Sequence, residues 1–286
     1  RRGAGHVGDQ LGIGIGVLDA LLEPTLEAAH QRDVHAAHEA DLAGLRGHRR
    51  QHADQPGGKP ADMTKPVQVF ILLGQSNMVG LGKVTGPDGS LDFAVKTKKK
   101  YPYLIDAAGN WAERPDVRHV RVMVGRNGGM QLFNNEFLKV GGKTLGPEYG
   151  IGHPLGDAVE APLMLLKSCI GNRSLGWDLL PPGSERYVFE GKVYAGYKDR
   201  PDAWPVDAAK GTATVPAPWV DKVGKPIDWY AGKQYDDDIA NAKKVLSELA
   251  KYYPGATKYE IAGFFFWQGE KDGGNAGHAA TSEENL

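Results

Sequence analysis

Three short runs in this chain of 286 residues hold residue types that can do acyl chemistry. The first is Gly74-Gln75-Ser76-Asn77-Met78. The second is Gly171-Asn172-Arg173-Ser174. The third is Gln268-Gly269-Glu270, followed by Asp272. Ser76 is the nucleophile candidate. A serine needs a base to take its proton and donors to hold the charge of the tetrahedral intermediate. The backbone N–H groups of Ser76 and Gly171 are candidate donors, and the Gln268 side chain is a third. Gln75, Asn77 and Asn172 are candidates for supporting the site or touching substrate. On the local run alone, Ser76 reads equally well as the N-cap of a helix. Met78 stands where G-x-S-x-G has its second glycine, so this is not the nucleophile elbow of α/β-hydrolases. Glu270 and Asp272 read as a glycosidase acid and base, or as loop carboxylates that hold Gln268 in place. Neighbours two apart on a loop rarely flank one bond, which weakens the glycosidase reading. Asn172 and Arg173 either contact substrate or satisfy loop carbonyls. Cys169 lies within an apolar strand and is expected to pack.

Each run follows an apolar stretch that must place it. Val67 to Leu73, Pro162 to Gly171 and Tyr259 to Trp267 are continuous apolar runs halted by glycine or polar residues, the pattern of buried parallel strands. Val117 to Val124 alternates and reads as a further strand. A helix is expected from about Gly152 to Val159. Residues 234 to 252 read as the clearest helix, with Ile239, Ala242, Leu246 and Leu249 on one stripe. Gly80 to Ser90 and Gly125 to Gly152 read as loops, and Lys96 to Lys100 as a solvated turn. From about 177 to 232 lies an insertion rich in Pro, Gly, Tyr and Trp. Its Trp177, Tyr187, Tyr194, Tyr197, Trp204, Trp219 and Trp229 either line a sugar-stacking cleft or, for most of them, pack a small core. The order of elements predicts an α/β fold, a parallel sheet with helices on both faces. Its three glycine-containing loops should meet at one sheet edge, where open α/β sheets bind ligands.

The amino-terminal residues 1 to about 62 differ in composition. Six of the nine histidines lie there (His6, His30, His35, His38, His48 and His52), and no aromatic residue precedes Phe70. An independent core is not expected from such a segment. We expect it to be a non-native, disordered or helical extension, with Met63 as the natural start; loss of folding on expression from Met63 would refute this. No histidine pair there has a compelling metal-ligand spacing. The formal net charge of -1 gives no reason to expect nucleic acid or an anionic membrane as partner. The single cysteine excludes an internal disulfide and a cysteine-based zinc site. No cofactor or metal is implied. A start at Met63 fits the cytoplasm, and a missing signal peptide fits secretion or the periplasm.

Together the three runs resemble the SGNH/GDSL hydrolase superfamily, and within it the sialate O-acetylesterase-like carbohydrate esterases that include acetylxylan esterases. That family's G-Q-S-N-M block is matched by Gly74 to Met78, its glycine after a buried strand by Gly171, and its W-Q-G-E block by Trp267 to Glu270 with Asp272. The resemblance spans about Val67 to Leu286. It implies a flavodoxin-like three-layer α/β/α sandwich over residues 63–286 and metal-independent hydrolysis of an acetyl ester on a carbohydrate. Ser76 would attack, and Ser76 N–H, Gly171 N–H and the Gln268 side chain would hold the oxyanion. The family's base is a histidine in a D-x-x-H block, and none follows Gln268. The expectation is therefore a chain that lacks the last strand, the last helix and the catalytic Asp and His, with weak or no activity of its own. His278 has no carboxylate beside it in sequence and is expected at the surface.

Overall fold

The continuous apolar run at Val67 dictates a strand buried on both faces. A computed structural model, which describes residues 57–125, 128–213, 220–282 and 285, places it in the interior of a sheet. The elements in chain order are β1 (Val67–Gly74), a one-turn helix α1 (Ser76–Val79), β2 (Glu113–Val124), β3 (Met130–Lys139), α2 (Glu148–Ala158) and β4 (Leu163–Ser168). There follow β5 (Tyr187–Phe189), β6 (Lys192–Tyr194), β7 (Ala203–Pro205), α3 (Lys233–Ser247), α4 (Leu249–Tyr252), β8 (Tyr259–Trp267) and α5 (Ala276–Ala280). The residues fall into two compact units. One holds 57–171 and 241–267, the other 172–240 and 268–285.

The first unit carries a five-stranded sheet in the order β8-β1-β4-β2-β3. Pairs β8/β1, β1/β4 and β4/β2 are parallel, and β2/β3 is antiparallel. This is the α/β class expected. The antiparallel strand β3 is a correction, because residues 125–152 read as loop. Only Leu138 and the strand's inner pairings are sheltered, and Gln131, Leu132, Phe133 and Glu136 are exposed. A strand with solvent on one side and at its edge carries no apolar run, so it was invisible as one. The Asn127-Gly128 pair is the hairpin signal that would have found it. One face of the sheet packs Leu72, Val117, Leu138, Leu163 and Leu165 against Met78, Leu104 and Tyr149. Side chains of opposite parity, Val69, Ile71, Leu73, Met164 and Leu166, are buried as well. Each such side chain contributes roughly 1.5–3 kcal/mol by leaving water, and both faces of β1 and β4 are therefore apolar. Cys169 packs in this core.

The second unit is built on a small antiparallel sheet, β5-β6-β7. Trp177, Leu180, Val193, Ala195, Trp204 and Ala231 form its core, with Trp229 packed on it. Trp177, Tyr194 and Trp204 thus fill the unit's own interior; Trp219 lies outside the described residues. The helix read as 234–252 breaks at Glu248, whose φ of -112 and ψ of 33 leave the helical region, so α3 and α4 are separate. Residues 1–56 of the amino-terminal extension lie outside the described residues. Of the rest, Asp62 donates its N–H to Glu160 O at 3.2 Å.

Candidate active site

The parallel pairing of β8, β1 and β4 puts their carboxyl ends side by side at one edge of the sheet. Gly74 pairs with Trp267, and Leu72 with Lys167. β1 stops at Gly74 because the chain comes too close to its neighbour for a side chain. Gly74 has φ +142, and a Cβ there would lie 2.2 Å from Trp267 O. The next residue, Gln75, is buried and donates its N–H to the same Trp267 O at 3.2 Å.

Ser76 opens the one-turn helix α1 and is half-buried. The N-cap position belongs to Gln75, and no side chain caps the turn. The hydroxyl is therefore not spent on capping. It donates to Gln75 Oε1 at 3.3 Å. Four residues are too few to build a helix dipole, so whatever the turn offers an anion comes from individual N–H groups. Among the described residues, neither Ser76 N–H nor Gly171 N–H meets an acceptor. Gly171 lies beside the serine: a Cβ built on it would stand 3.7 Å from Ser76 Cβ and 3.9 Å from Ser76 Cα. The loops after β1 and β4 thus bring one hydroxyl and two unengaged donors together. Asn77 is half-buried, next to Ser76 on the same turn.

The turn is braced from the side. Gly80, which ends it, donates its N–H to Ser76 O at 3.0 Å. Gly80 also lies flat against Gly146, just ahead of α2. Glu148, the first residue of α2, accepts Gly146 N–H on Oε1 at 3.0 Å and pairs through Oε2 with Lys167 Nζ at 2.7 Å. Sequence reasoning missed this buried pair. Its only signal is a lysine, Lys167, inside an otherwise apolar strand.

In the second unit, Asn172 is exposed and left-handed at φ +59, a conformation asparagine tolerates, so it shapes the turn. Asp178 is buried and gathers four donors: Arg173 Nη1 at 3.1 Å, Trp229 Nε1 at 2.8 Å, Ser174 N–H at 2.7 Å and Ser174 Oγ at 3.1 Å. The Arg173 guanidinium stacks 3.9 Å over the Trp229 ring. Asp272 is likewise buried, and accepts from Leu175 N–H at 2.9 Å, Gly176 N–H at 2.8 Å and Gln268 Nε2 at 2.9 Å. Gln268 Nε2 also donates to Arg173 O at 2.6 Å. Both amide hydrogens are engaged, and the free atom, Oε1, is an acceptor. Donation from Gln268 to an oxyanion therefore requires one of these bonds to be given up. Glu270 is exposed while Asp272 is buried and saturated, so the two carboxylates face different surroundings.

The three histidines among the described residues, His119, His153 and His278, are buried. His278, expected at the surface, is 4% exposed. The Asn275 side chain caps α5 by accepting Gly277 N–H and His278 N–H, and this seats the imidazole edge-on to Tyr194 at 5.6 Å. Burial lowers its pKa, while Asp202, Asp272 and Asp178 pull it back up. His119 accepts from Asn134 Nδ2 on Nδ1 at 3.2 Å if its proton sits on Nε2, and burial pushes it down to about 4. His153 packs on Tyr103 and is also pushed down to about 4 by burial, with Arg114 adding to the shift. A cavity of about 260 Å³ lies at the other end of β2, around Arg114, Asp116, Asp157 and Glu160. In its wall Arg114 binds both Asp116 and Asp157. Among the described residues no group of three or more His, Cys, Asp or Glu could hold a metal ion, and no helix is long and apolar enough to cross a membrane. Comparison of the chain with protein-family models, curated proteins and solved structures gives no match.

Proposed function

We propose that this chain is a serine esterase that hydrolyses O-acetyl esters on a carbohydrate, with Ser76 as nucleophile. One observation carries the reading: a serine hydroxyl free of capping duty stands beside two unengaged N–H groups, its own and that of Gly171, at the carboxyl end of an interior parallel strand. Ser76 Oγ attacks the acetyl carbonyl. The two N–H groups hold the oxyanion, the sugar oxygen leaves as a hydroxyl carrying the proton that Ser76 gives up, and water then releases acetate from the acyl-enzyme and restores that proton to Ser76. Gln75 Oε1 orients the hydroxyl but is too weak a base to take its proton. In the family that the chain resembles, a histidine does so. The flavodoxin-like sandwich belongs to the same proposal. The four parallel strands β8, β1, β4 and β2 support it. By position in the chain the sheet order is 5-1-4-2-3, whereas the flavodoxin order is 2-1-3-4-5.

A second reading, a carbohydrate-binding protein without catalysis, is favoured by the hydroxyl's bond to Gln75 rather than to a base. A glycosidase is disfavoured, because Asp272 already accepts three N–H bonds. Acetate release from p-nitrophenyl acetate and acetylated xylan distinguishes the readings. The expected result is weak release, in keeping with the lack of a D-x-x-H block after Gln268, that Ser76→Ala abolishes. Release unchanged in Ser76→Ala refutes the nucleophile, binding of xylan without release supports the second reading, and reducing sugar without acetate supports the third.

A further inference from the structure

We propose that Glu148 and Lys167 form a buried strut that positions Ser76 and Gly171 for attack, an inference that rests on the reading of Ser76 as nucleophile. The two side chains are 6% and 1% exposed, with Nζ and Oε2 at 2.7 Å. Lys167 lies in β4, four residues before Gly171. Glu148 opens α2 and holds Gly146 N–H at 3.0 Å with its other oxygen. Gly146 in turn faces Gly80: a Cβ on Gly80 would lie 2.4 Å from Gly146 N, and a Cβ on Gly146 would lie 3.1 Å from Gly80 Cα. Gly80 closes the Ser76 turn through its bond to Ser76 O. An unbroken path of contacts within one unit therefore joins the strand that carries Gly171 to the turn that carries Ser76.

Stability alone does not call for charge here. Replacing a buried ion pair by apolar residues of similar volume is often neutral or stabilising. An apolar pair, however, cannot accept Gly146 N–H, and it has no preferred direction. The path also leaves no slack, because a Cβ on Gly146 would lie 2.6 Å from Glu148 Oε2 and 2.8 Å from Lys167 Nζ. What the pair supplies is a fixed distance between the nucleophile and the donor beside it. A misplacement of about 1 Å at such a site costs about 100-fold in rate.

The test uses the protein and three variants: Glu148→Met/Lys167→Met, Glu148→Gln/Lys167→Gln and Gly146→Ala. Thermal unfolding, the rate of Ser76 labelling by a fluorophosphonate probe, and kcat and KM on p-nitrophenyl acetate are measured. The Met pair should keep its Tm within a few degrees while labelling and kcat fall about 100-fold and KM stays close to wild type. Gly146→Ala, which wedges the pair apart, should show the same loss. Glu148→Gln/Lys167→Gln keeps an acceptor for Gly146 N–H and an amide hydrogen bond across the pair, and should recover most of the labelling rate. Wild-type labelling in the Met pair overturns the proposal. So does a loss that tracks only the unfolded fraction, or a Gln variant no better than the Met pair. Where the Met pair does not fold, Gly146→Ala and the Gln variant decide by the same criteria. A wild-type protein that is not labelled at Ser76 overturns the nucleophile reading itself, and the strut with it.

Discussion

Gly74 and Gly269 share a backbone angle and differ in surroundings, which makes Gly74→Ala a controlled experiment. Their φ values are +142 and +141. In that region a side chain costs about 1–3 kcal/mol at either site. The contacts then separate them. An alanine Cβ at position 74 would stand 2.2 Å from Trp267 O and 2.9 Å from Trp267 C, whereas at position 269 nothing lies within 4 Å. Ordinary contact begins near 3.4 Å, so β1 and β8 must part by about 1.2 Å at their ends. Forcing that gap costs about 1–3 kcal/mol. It also breaks the Gln75 N–H bond to Trp267 O, at 3.2 Å, for about 1 kcal/mol more. Gly74→Ala should therefore destabilise by about 2–4 kcal/mol more than Gly269→Ala. With a urea m-value of about 2 kcal/mol/M, the midpoints should differ by about 1–2 M. The glycines lie in different units, so native-state hydrogen exchange should follow each separately, on the β1 amides for position 74 and on Gly273 to Asn275 for position 269. A Gly74→Ala cost no larger than that of Gly269→Ala would refute the close-approach argument.

Other perturbations test the rest of the framework. Gly171→Leu should shield Ser76, because its side chain starts 3.7 Å from Ser76 Cβ; serine labelling should fall at least about 10-fold with urea stability nearly unchanged, since no backbone atom is crowded. Asp272→Ala strips the partner from the buried N–H groups of Leu175 and Gly176 and from Gln268, at about 3–5 kcal/mol, and exchange protection of Leu175 and Gly176 should drop first. The third test is pH. His119 and His153 are held neutral, with pKa about 4 in the folded chain against about 6.5 unfolded. Between these values the unfolded chain binds more protons, so stability is complete above about pH 6.5 and falls toward pH 4, by about 3 kcal/mol per histidine. In His119→Leu that fall should shrink by about half, and an unchanged slope in urea titrations would refute the assignment.

What could be read from the chain and what could not follow from the range of the forces involved. β1, β4, β8 and the core of β2 are continuous or alternating apolar runs, and each is legible within itself because burial on both faces imposes one composition. The helix near 234–252 was legible by its stripe, though not its break at Glu248. β3 was not, since an edge strand half in solvent needs no apolar pattern. Of the site, Ser76 and Gly171 were nameable from glycines that halt strands. Their adjacency depends on β1 and β4 being neighbours, a pairing such as Gln68 with Leu163 between residues far apart in the chain.

The sequence by itself determined that β1, β2, β4 and β8 are strands, that they belong to an α/β fold, and which serine stands at a strand's end, because these depend on local composition and period. Only the tertiary structure decided that the Ser76 hydroxyl is free of capping, that Gly171 lies against it, that Gln268 spends both amide hydrogens on Arg173 and Asp272, that His278 is buried, and that Lys167 and Glu148 meet beneath the turn. Most of these are contacts between distant parts of the chain. They are set by strand order and by the desolvation of polar groups, which must find partners wherever the fold puts them.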